Sequence, residues 1–382
     1  MFAETAERWF TPLERFAALH AGVARRSTAE VIDLSYPNYV VQRDTRGFDA
    51  LRAALAGTGQ ESLQYTPFGG RTIPRRLIAS ALAKRVGVPF GFRDVALTPG
   101  ATSALGVAFA ALFRPGDEVL MVTPSWMDYP LYLEALGVTV VPVPSGTAKR
   151  LDVAAIAGAC GPRTAGLILS QPACPTGVLH HEAELISLAA VLARADRRIV
   201  LISDEVHRDQ VWADASFVSP LRFHPHAVSV YSFGKAWSMQ GQRTGYLALG
   251  TGLREPATYR AVERALRAGG HCAPTALMQE FAGRVAGLTP CAEALRADQE
   301  QFRALLRAAG LEVIPGEGTA FVYARCPAGL DDWAMTERFA AHGVLVMPSS
   351  VFHEPGHIRF ALNAGPDRFD EISRRLRAAL GL

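Results

Sequence analysis

Between residues 93 and 250 short runs of β-branched and other apolar residues alternate with helix-like stretches, and nothing else in the chain constrains its fold as tightly. The runs are 96–98, 118–122, 138–143, 166–170, 199–203, 228–232 and 243–249, and helical patterns such as 102–113 and 182–195 separate several of them. A strand that is apolar along its whole length is covered on both faces. Strands of that kind, joined by helices, build an α/β fold: a mostly parallel sheet flanked by helices. The runs predict a seven-stranded sheet.

The pattern changes after Gly252. A helix is expected over 255–268, then Gly269 and Gly270, then more helices, with short strands near 312–314, 319–323, 344–347 and 357–361. That combination predicts a smaller α+β domain. The first ~45 residues contain little strand pattern and are expected to pack with it. The expected division is a large domain over 46–270 and a small one made of 1–45 and 271–382, and a chain of 382 residues fits two such units.

Composition narrows the function. The net charge is +3 without any basic run, which speaks against nucleic-acid binding. No stretch approaches the ~20 apolar residues of a membrane span, and the acidic start, MFAETAERWF, is no signal peptide. The five cysteines are scattered, with no C-x-x-C pair, so reduced thiols in a cytoplasmic protein are expected, with neither disulfides nor a metal site. Of 39 basic residues only Lys84, Lys149 and Lys235 are lysine. Arginine stays protonated and cannot replace lysine in amine chemistry.

In open α/β sheets ligands bind beyond the carboxyl ends of the strands. Five polar signals fall there. Thr98-Pro-Gly-Ala-Thr102 opens a helix and would present backbone N–H groups to an anion, or merely cap the helix. Trp126, in Pro-Ser-Trp, could stack on a flat ring or pack in the core. Gln171-Pro-Ala-Cys-Pro-Thr-Gly177 forces a tight loop. Asp204, after the apolar run 199–202, is a costly carboxylate unless a cation pairs with it or it caps a helix. Lys235, in Ser-Phe-Gly-Lys, follows another apolar strand, where burial would lower its pKa and make it a nucleophile toward aldehydes.

In that order and spacing the five signals resemble the aspartate aminotransferase superfamily, fold-type-I enzymes dependent on pyridoxal 5′-phosphate (PLP), over about residues 33–380. The resemblance implies an aminotransferase acting on an L-amino acid and a 2-oxo acid. Lys235 would hold PLP as a Schiff base and later move protons, and Asp204 would pair with the pyridinium nitrogen. Trp126 would stack on the ring. Gly100, Ala101, Thr102, Ser232 and Arg243 would bind the phosphate. Arg359, in Ile-Arg-Phe-Ala, would grip the substrate carboxylate with a two-pronged hydrogen bond, and Ser35 would lie on the same substrate side. Tyr65, in Tyr-Thr-Pro-Phe-Gly-Gly, would reach the phosphate of a neighbouring subunit, making the enzyme a homodimer with shared sites.

Two residues depart from the family pattern. Cys174 stands where most members have asparagine, and a thiol is a weak donor. His207 stands where many have tyrosine, and residues 204–212 resemble the cystathionine β-lyase-like branch. Both positions are expected near the cofactor's O3′. Either His207 and water supply the missing donors, or the chemistry shifts toward a lyase, with C–S β-elimination, or another specialised reaction such as replacement or oxidation. A non-catalytic reading also exists, because transcription regulators carry such domains behind a DNA-binding domain. The retained lysine and arginines, and the short stretch before Asp33, speak against it. Dicarboxylate specificity is not implied, since Ala268 falls where a side-chain-binding arginine is expected, with Arg267 beside it.

Overall fold

A computed structural model describes residues 4–26, 30–39, 44–212 and 214–382. The chain starts with α1 (Glu4–Arg26), β1 (Ile32–Asp33), α2 (Arg46–Ala56) and α3 (Thr72–Val86). The alternating region follows: β2 (Val95–Thr98), α4 (Gly100–Leu112), β3 (Glu118–Thr123), α5 (Tyr129–Glu134), β4 (Thr139–Pro144) and α6 (Val153–Ala159). It continues through β5 (Thr164–Ser170), α7 (Glu182–Ala193), β6 (Val200–Asp204), β7 (Ala227–Ser232), α8 (Phe233–Ala236) and β8 (Gly245–Leu249). The remainder is α9 (Pro256–Ala268), α10 (Ala276–Val285), α11 (Glu293–Ala308), β9 (Glu312–Val313), β10 (Phe321–Arg325), α12 (Asp332–Ala341), β11 (Val344–Leu345), β12 (Met347–Pro348), β13 (His357–Ala361) and α13 (Phe369–Leu380).

The expected seven-stranded sheet is present, in the order β2-β8-β7-β6-β5-β3-β4. The pairs from β4 across to β7 are parallel. Strand β8 runs antiparallel to both of its neighbours. The link from β7 to β8 explains the reversal, because its four-residue helix α8 is too short for the crossover that a parallel return requires.

Successive side chains on each strand serve two cores. Leu120, Leu167 and Leu201 pack with Leu82 of α3 and Leu188 of α7. Their neighbours Met121, Ile168 and Ile202 pack on the other side with Leu105 and Phe109 of α4. That double covering is why the strands read as continuous apolar runs. Full burial of one such Leu or Ile is worth roughly 1.5–3 kcal/mol over exposure.

A third core gathers Phe302, Phe339, Phe360, Phe369 and Leu376 around the antiparallel sheet β12-β13-β10-β9. Ile32 and Leu34 join it, and β1 pairs in parallel with β11. Helix α10 goes the other way: Met278, Phe281 and Val285 pack into the core of the large sheet although they follow residue 270. Helix α1 lays Phe16 against Met127, Met347 and Phe352, so it touches both halves. No helix among the described residues is long and apolar enough to cross a membrane.

Candidate active site

A cavity of about 270 Å³ opens beyond the carboxyl ends of the large sheet. Most predicted residues meet there. Ala101, Thr102, Trp126 and Cys174 line it together with Asp204 and His207. Ser232, Lys235 and Arg243 complete the large-sheet side, and Arg359 enters from β13. Three predicted residues stand apart. Gly100 lies behind Arg243, Ser35 lies behind Arg359, and Tyr65 is fully exposed on the surface.

Helix α4 starts at the cavity. Gly100 has φ +82°, and a Cβ on it would sit 2.6 Å from an Arg243 amine nitrogen, so only glycine lets the guanidinium close over the helix start. The first N–H groups of a helix have no partner within it and favour anions. Arg243 is itself held in a left-handed turn (φ +47°), by its own donation to the Gln240 carbonyl (2.9 Å). The Ser232 hydroxyl caps α8 by accepting from Gly234 N.

Asp204 ends β6 in a buried setting. Its Oδ2 accepts from the Tyr129 hydroxyl at 2.5 Å and its Oδ1 from Val206 N at 3.2 Å. Among the described residues it has no ion-pair partner. Burial raises its pKa to about 6, against the pull of those two donors. Lys235 follows β7 on α8, and burial lowers its amine to about 8. The other two lysines are elsewhere: Lys84 lies on α3 and Lys149 pairs with Glu354 at 2.6 Å.

His207 is buried and burial lowers its pKa to about 3, so the ring is neutral. Its tautomer follows from its neighbours. Gln210 Nε2 donates to the Lys235 carbonyl (3.1 Å) and to the Tyr39 hydroxyl, which itself donates to that carbonyl (2.8 Å). Gln210 Oε1 therefore faces His207 Nδ1 at 2.7 Å, Nδ1 carries the proton, and Nε2 is left as an acceptor. Cys174 is buried beside Phe321 and Ala361, and burial pushes its thiol up to about 11.

Arg359 is buried between the rings of Phe321 (4.6 Å) and Phe352 (4.7 Å). One amine nitrogen donates to the Ser35 carbonyl and meets Met347 Sδ at 3.3 Å. The Ser35 hydroxyl donates to Asp33 (2.5 Å), so Ser35 supports Arg359 through its main chain. Arg359 Nε is buried with no hydrogen-bond partner among the described residues. Burial lowers the guanidinium to about 10.

Sequence reasoning missed Tyr129, Gln210, Tyr39 and the cavity-lining Tyr36 and Asp128. Only Tyr129 had a local signal, one helical turn after Trp126. Their rings lie 5.2 Å apart at 72°.

These groups fit a flat phosphate-bearing aldehyde with a basic ring nitrogen. An anion site, an aromatic wall, a deprotonatable amine and a carboxylate without a cation share one cavity, and an orphaned guanidinium nitrogen faces the same region.

The family profile described as aminotransferase class I and II matches residues 29–376, and the chain belongs to that family. It is a transferase with aminotransferase function. A relative named probable aspartate/prephenate aminotransferase, from Thermus aquaticus, is 29% identical over 339 residues, covering 87% of each chain. One named probable N-succinyldiaminopimelate aminotransferase, from Mycobacterium tuberculosis, is 30% identical over 342 residues, 82% of this chain and 84% of its own. An amino transferase structure from Eubacterium rectale superposes with a TM-score of 0.89 over 96% of this chain and 95% of its own, at 22% identity. The aspartate aminotransferase of Thermus thermophilus with maleate gives 0.85 over 95% and 96%, at 24% identity. The fold is thus fold type I.

Proposed function

We propose that the cavity binds PLP and that the chain transfers an amino group between an L-amino acid and a 2-oxo acid. The observation that carries this is the meeting of Lys235, Asp204 and Arg359 in one cavity. When bound, PLP supplies an electron sink for a carbanion at the substrate's Cα.

The chain's own residues divide the remaining work. Lys235, with an amine lowered to about 8, is partly unprotonated near neutral pH; it attaches the cofactor and, once displaced, carries the proton at Cα. Asp204 complements a protonated ring nitrogen, which returns the carboxyl to its ionised form. Arg243, Ser232 and the amides at Gly100, Ala101 and Thr102 hold the phosphate, and Trp126 covers the ring. Cys174 and His207 lie toward O3′. Arg359 takes the α-carboxylate through Nε and an amine nitrogen, with Ser35 steadying it.

The protein acts in the cytoplasm as a homodimer, with Tyr65 serving the neighbouring site. Its full exposure suits that role. The chain divides into a large domain over 46–270, with α10 packed beside it, and a small domain formed by 1–45 and the rest of 271–382.

A second reading, a lyase or other specialised reaction, draws on the neutral thiol of Cys174 and on His207, whose Nε2 accepts rather than donates. One experiment separates the two. Borohydride reduction of the yellow protein followed by peptide mapping should place the cofactor on Lys235. Mass spectrometry should then find a 2-oxo acid formed from the amino acid. Ammonia or thiol release would favour the second reading, and an adduct on Lys84 or Lys149 would overturn the site.

A further inference from the structure

Asp128 lines the same cavity as Lys235 and Arg359. It stands at the N-cap of α5, where an aspartate ordinarily accepts from the backbone N–H groups of the first turn. Here it makes no such bond. Among the described residues its carboxylate has neither a hydrogen bond nor an ion pair. The chain spends a half-buried negative charge at this point without using it to hold the helix.

Its surroundings describe what would match it. Tyr36 and Trp126 line the cavity with it. Trp126 stacks against Tyr132 (6.1 Å, 23°). Burial raises the hydroxyls of both Tyr36 and Tyr132, and the nearby Asp128 charge adds to the rise in each. A carboxylate set among aromatic faces is a cation site: the charge pairs with it and the rings attract it through their quadrupoles. Burial holds the Asp128 carboxyl above its ordinary range, and a cation in the cavity would bring it back.

The other charges of the cavity are already engaged by the reading above. Asp204 faces the ring nitrogen, Arg243 the phosphate and Arg359 the α-carboxylate. Among the described residues no third arginine lines the cavity for an acidic side chain. Asp128 is the charge left over, and its sign is negative.

We infer that Asp128 is the specificity residue of this enzyme and that the substrate is an α-amino acid with a cationic side chain, a guanidinium or an ammonium. This rests on the aminotransferase reading of the cavity.

The test uses ligands that cannot react. The holoenzyme is titrated calorimetrically with 5-guanidinopentanoate, which has a carboxylate and a guanidinium but no α-amine, and with its neutral isostere 5-ureidopentanoate. The cationic ligand should bind roughly tenfold to a hundredfold more tightly, as expected for a hydrogen-bonded charge pair. Asp128→Asn should remove that preference while leaving the neutral ligand's affinity within about twofold. Single-turnover rates with arginine, ornithine and lysine, against citrulline and norleucine, should rank the same way, and their order reads the preferred chain length. Equal binding of the two ligands by the wild type overturns the inference, including the case in which a second copy of the chain supplies the cation. So does equal loss for both ligands in Asp128→Asn. If neutral amino acids react and cationic ones do not, the inference falls and the aminotransferase reading stands. If no amino acid reacts at all, both fall.

Discussion

Asp204 and Glu205 are consecutive and both buried, yet they meet opposite surroundings. Alternation along the strand sends them to opposite sides of the sheet end. Glu205 accepts from the hydroxyls of Ser219 (2.5 Å), Ser229 (2.9 Å) and Ser203 (3.2 Å), and pairs with Arg208 at 3.4 Å. Arg208 lies 3.7 Å over the Tyr231 ring and donates to the Tyr246 hydroxyl at 2.6 Å. Tyr231 in turn donates to Asp209, which pairs with Arg85 at 2.7 Å. Asp204 has one phenol and one amide. A buried charge supplied with partners on its own chain is a structural element. One left short of partners is held for something that arrives later.

If that contrast is right, substitutions on the cavity side take activity and leave stability, while those beneath the sheet do the reverse. Lys235→Ala should be the largest effect: turnover falls by about 10⁴-fold or more. The melting temperature, compared between the two cofactor-free proteins, should hold or rise, since the protein loses an amine whose charge its burial disfavours. A melting point several degrees lower would place Lys235 among the structural charges.

Glu205→Ala should cost about 3–5 kcal/mol of stability, because it takes the nearer of two carboxylates from the buried Arg208 and strands three serine hydroxyls. Chemical denaturation reads this directly. Turnover per folded molecule should stay within a few fold. A stable but inactive Glu205→Ala would erase the distinction between the two carboxylates.

Arg359→Ala sits between the classes, as Arg359 is packed between two rings yet keeps one unpaired nitrogen. Amino-acid affinity should fall by about 2–5 kcal/mol, with much less effect on cofactor affinity. Equal weakening of an amino acid and of the corresponding amine without its carboxylate would make the arginine structural.

The strand side of this contrast was legible in the sequence. Continuous apolar runs mark a sheet covered twice, and the polar residues that end those runs, Asp204 and Lys235, do lie in the cavity. Reversal of β8 was not legible, since it depends on the length of α8 rather than on any strand pattern. Nor was the single expected strand over 344–347, which splits into β11 and β12 pairing with different partners. The second layer of the site was hidden for a similar reason. Tyr39 and Gln210 lie 171 positions apart and meet only because both reach the Lys235 carbonyl. Ser35, expected on the substrate side, gives its hydroxyl to Asp33 two residues earlier and its carbonyl to Arg359, partners that no local pattern announces.

The smallest and sharpest effect should come from Tyr129→Phe, which removes one donor and keeps the ring. The Tyr129 hydroxyl bonds the ionised Asp204 at 2.5 Å and so lowers that carboxyl against the rise imposed by burial. Without it Asp204 holds its proton more strongly. A hydrogen bond to a buried charge is worth about 1.5–3 kcal/mol, so the carboxyl should rise by roughly one pH unit or somewhat more. In the cofactor-free protein the titration of Asp204, followed by carboxyl NMR, should move to higher pH by that amount, while the holoenzyme's plateau rate changes little. Stability gives an independent sign. In the cofactor-free protein a carboxyl near 6 folded, against an ordinary 3.8, binds its proton more tightly in the fold, so its contribution to stability is lost as pH rises through that window. Tyr129→Phe should extend the loss to higher pH. PLP binding should cancel it in both proteins, since the ring nitrogen then supplies the positive charge that Asp204 lacks. An Asp204 titration that stays put in the cofactor-free protein while the protein simply becomes less stable would mean that Tyr129 packs beside Asp204 without tuning it.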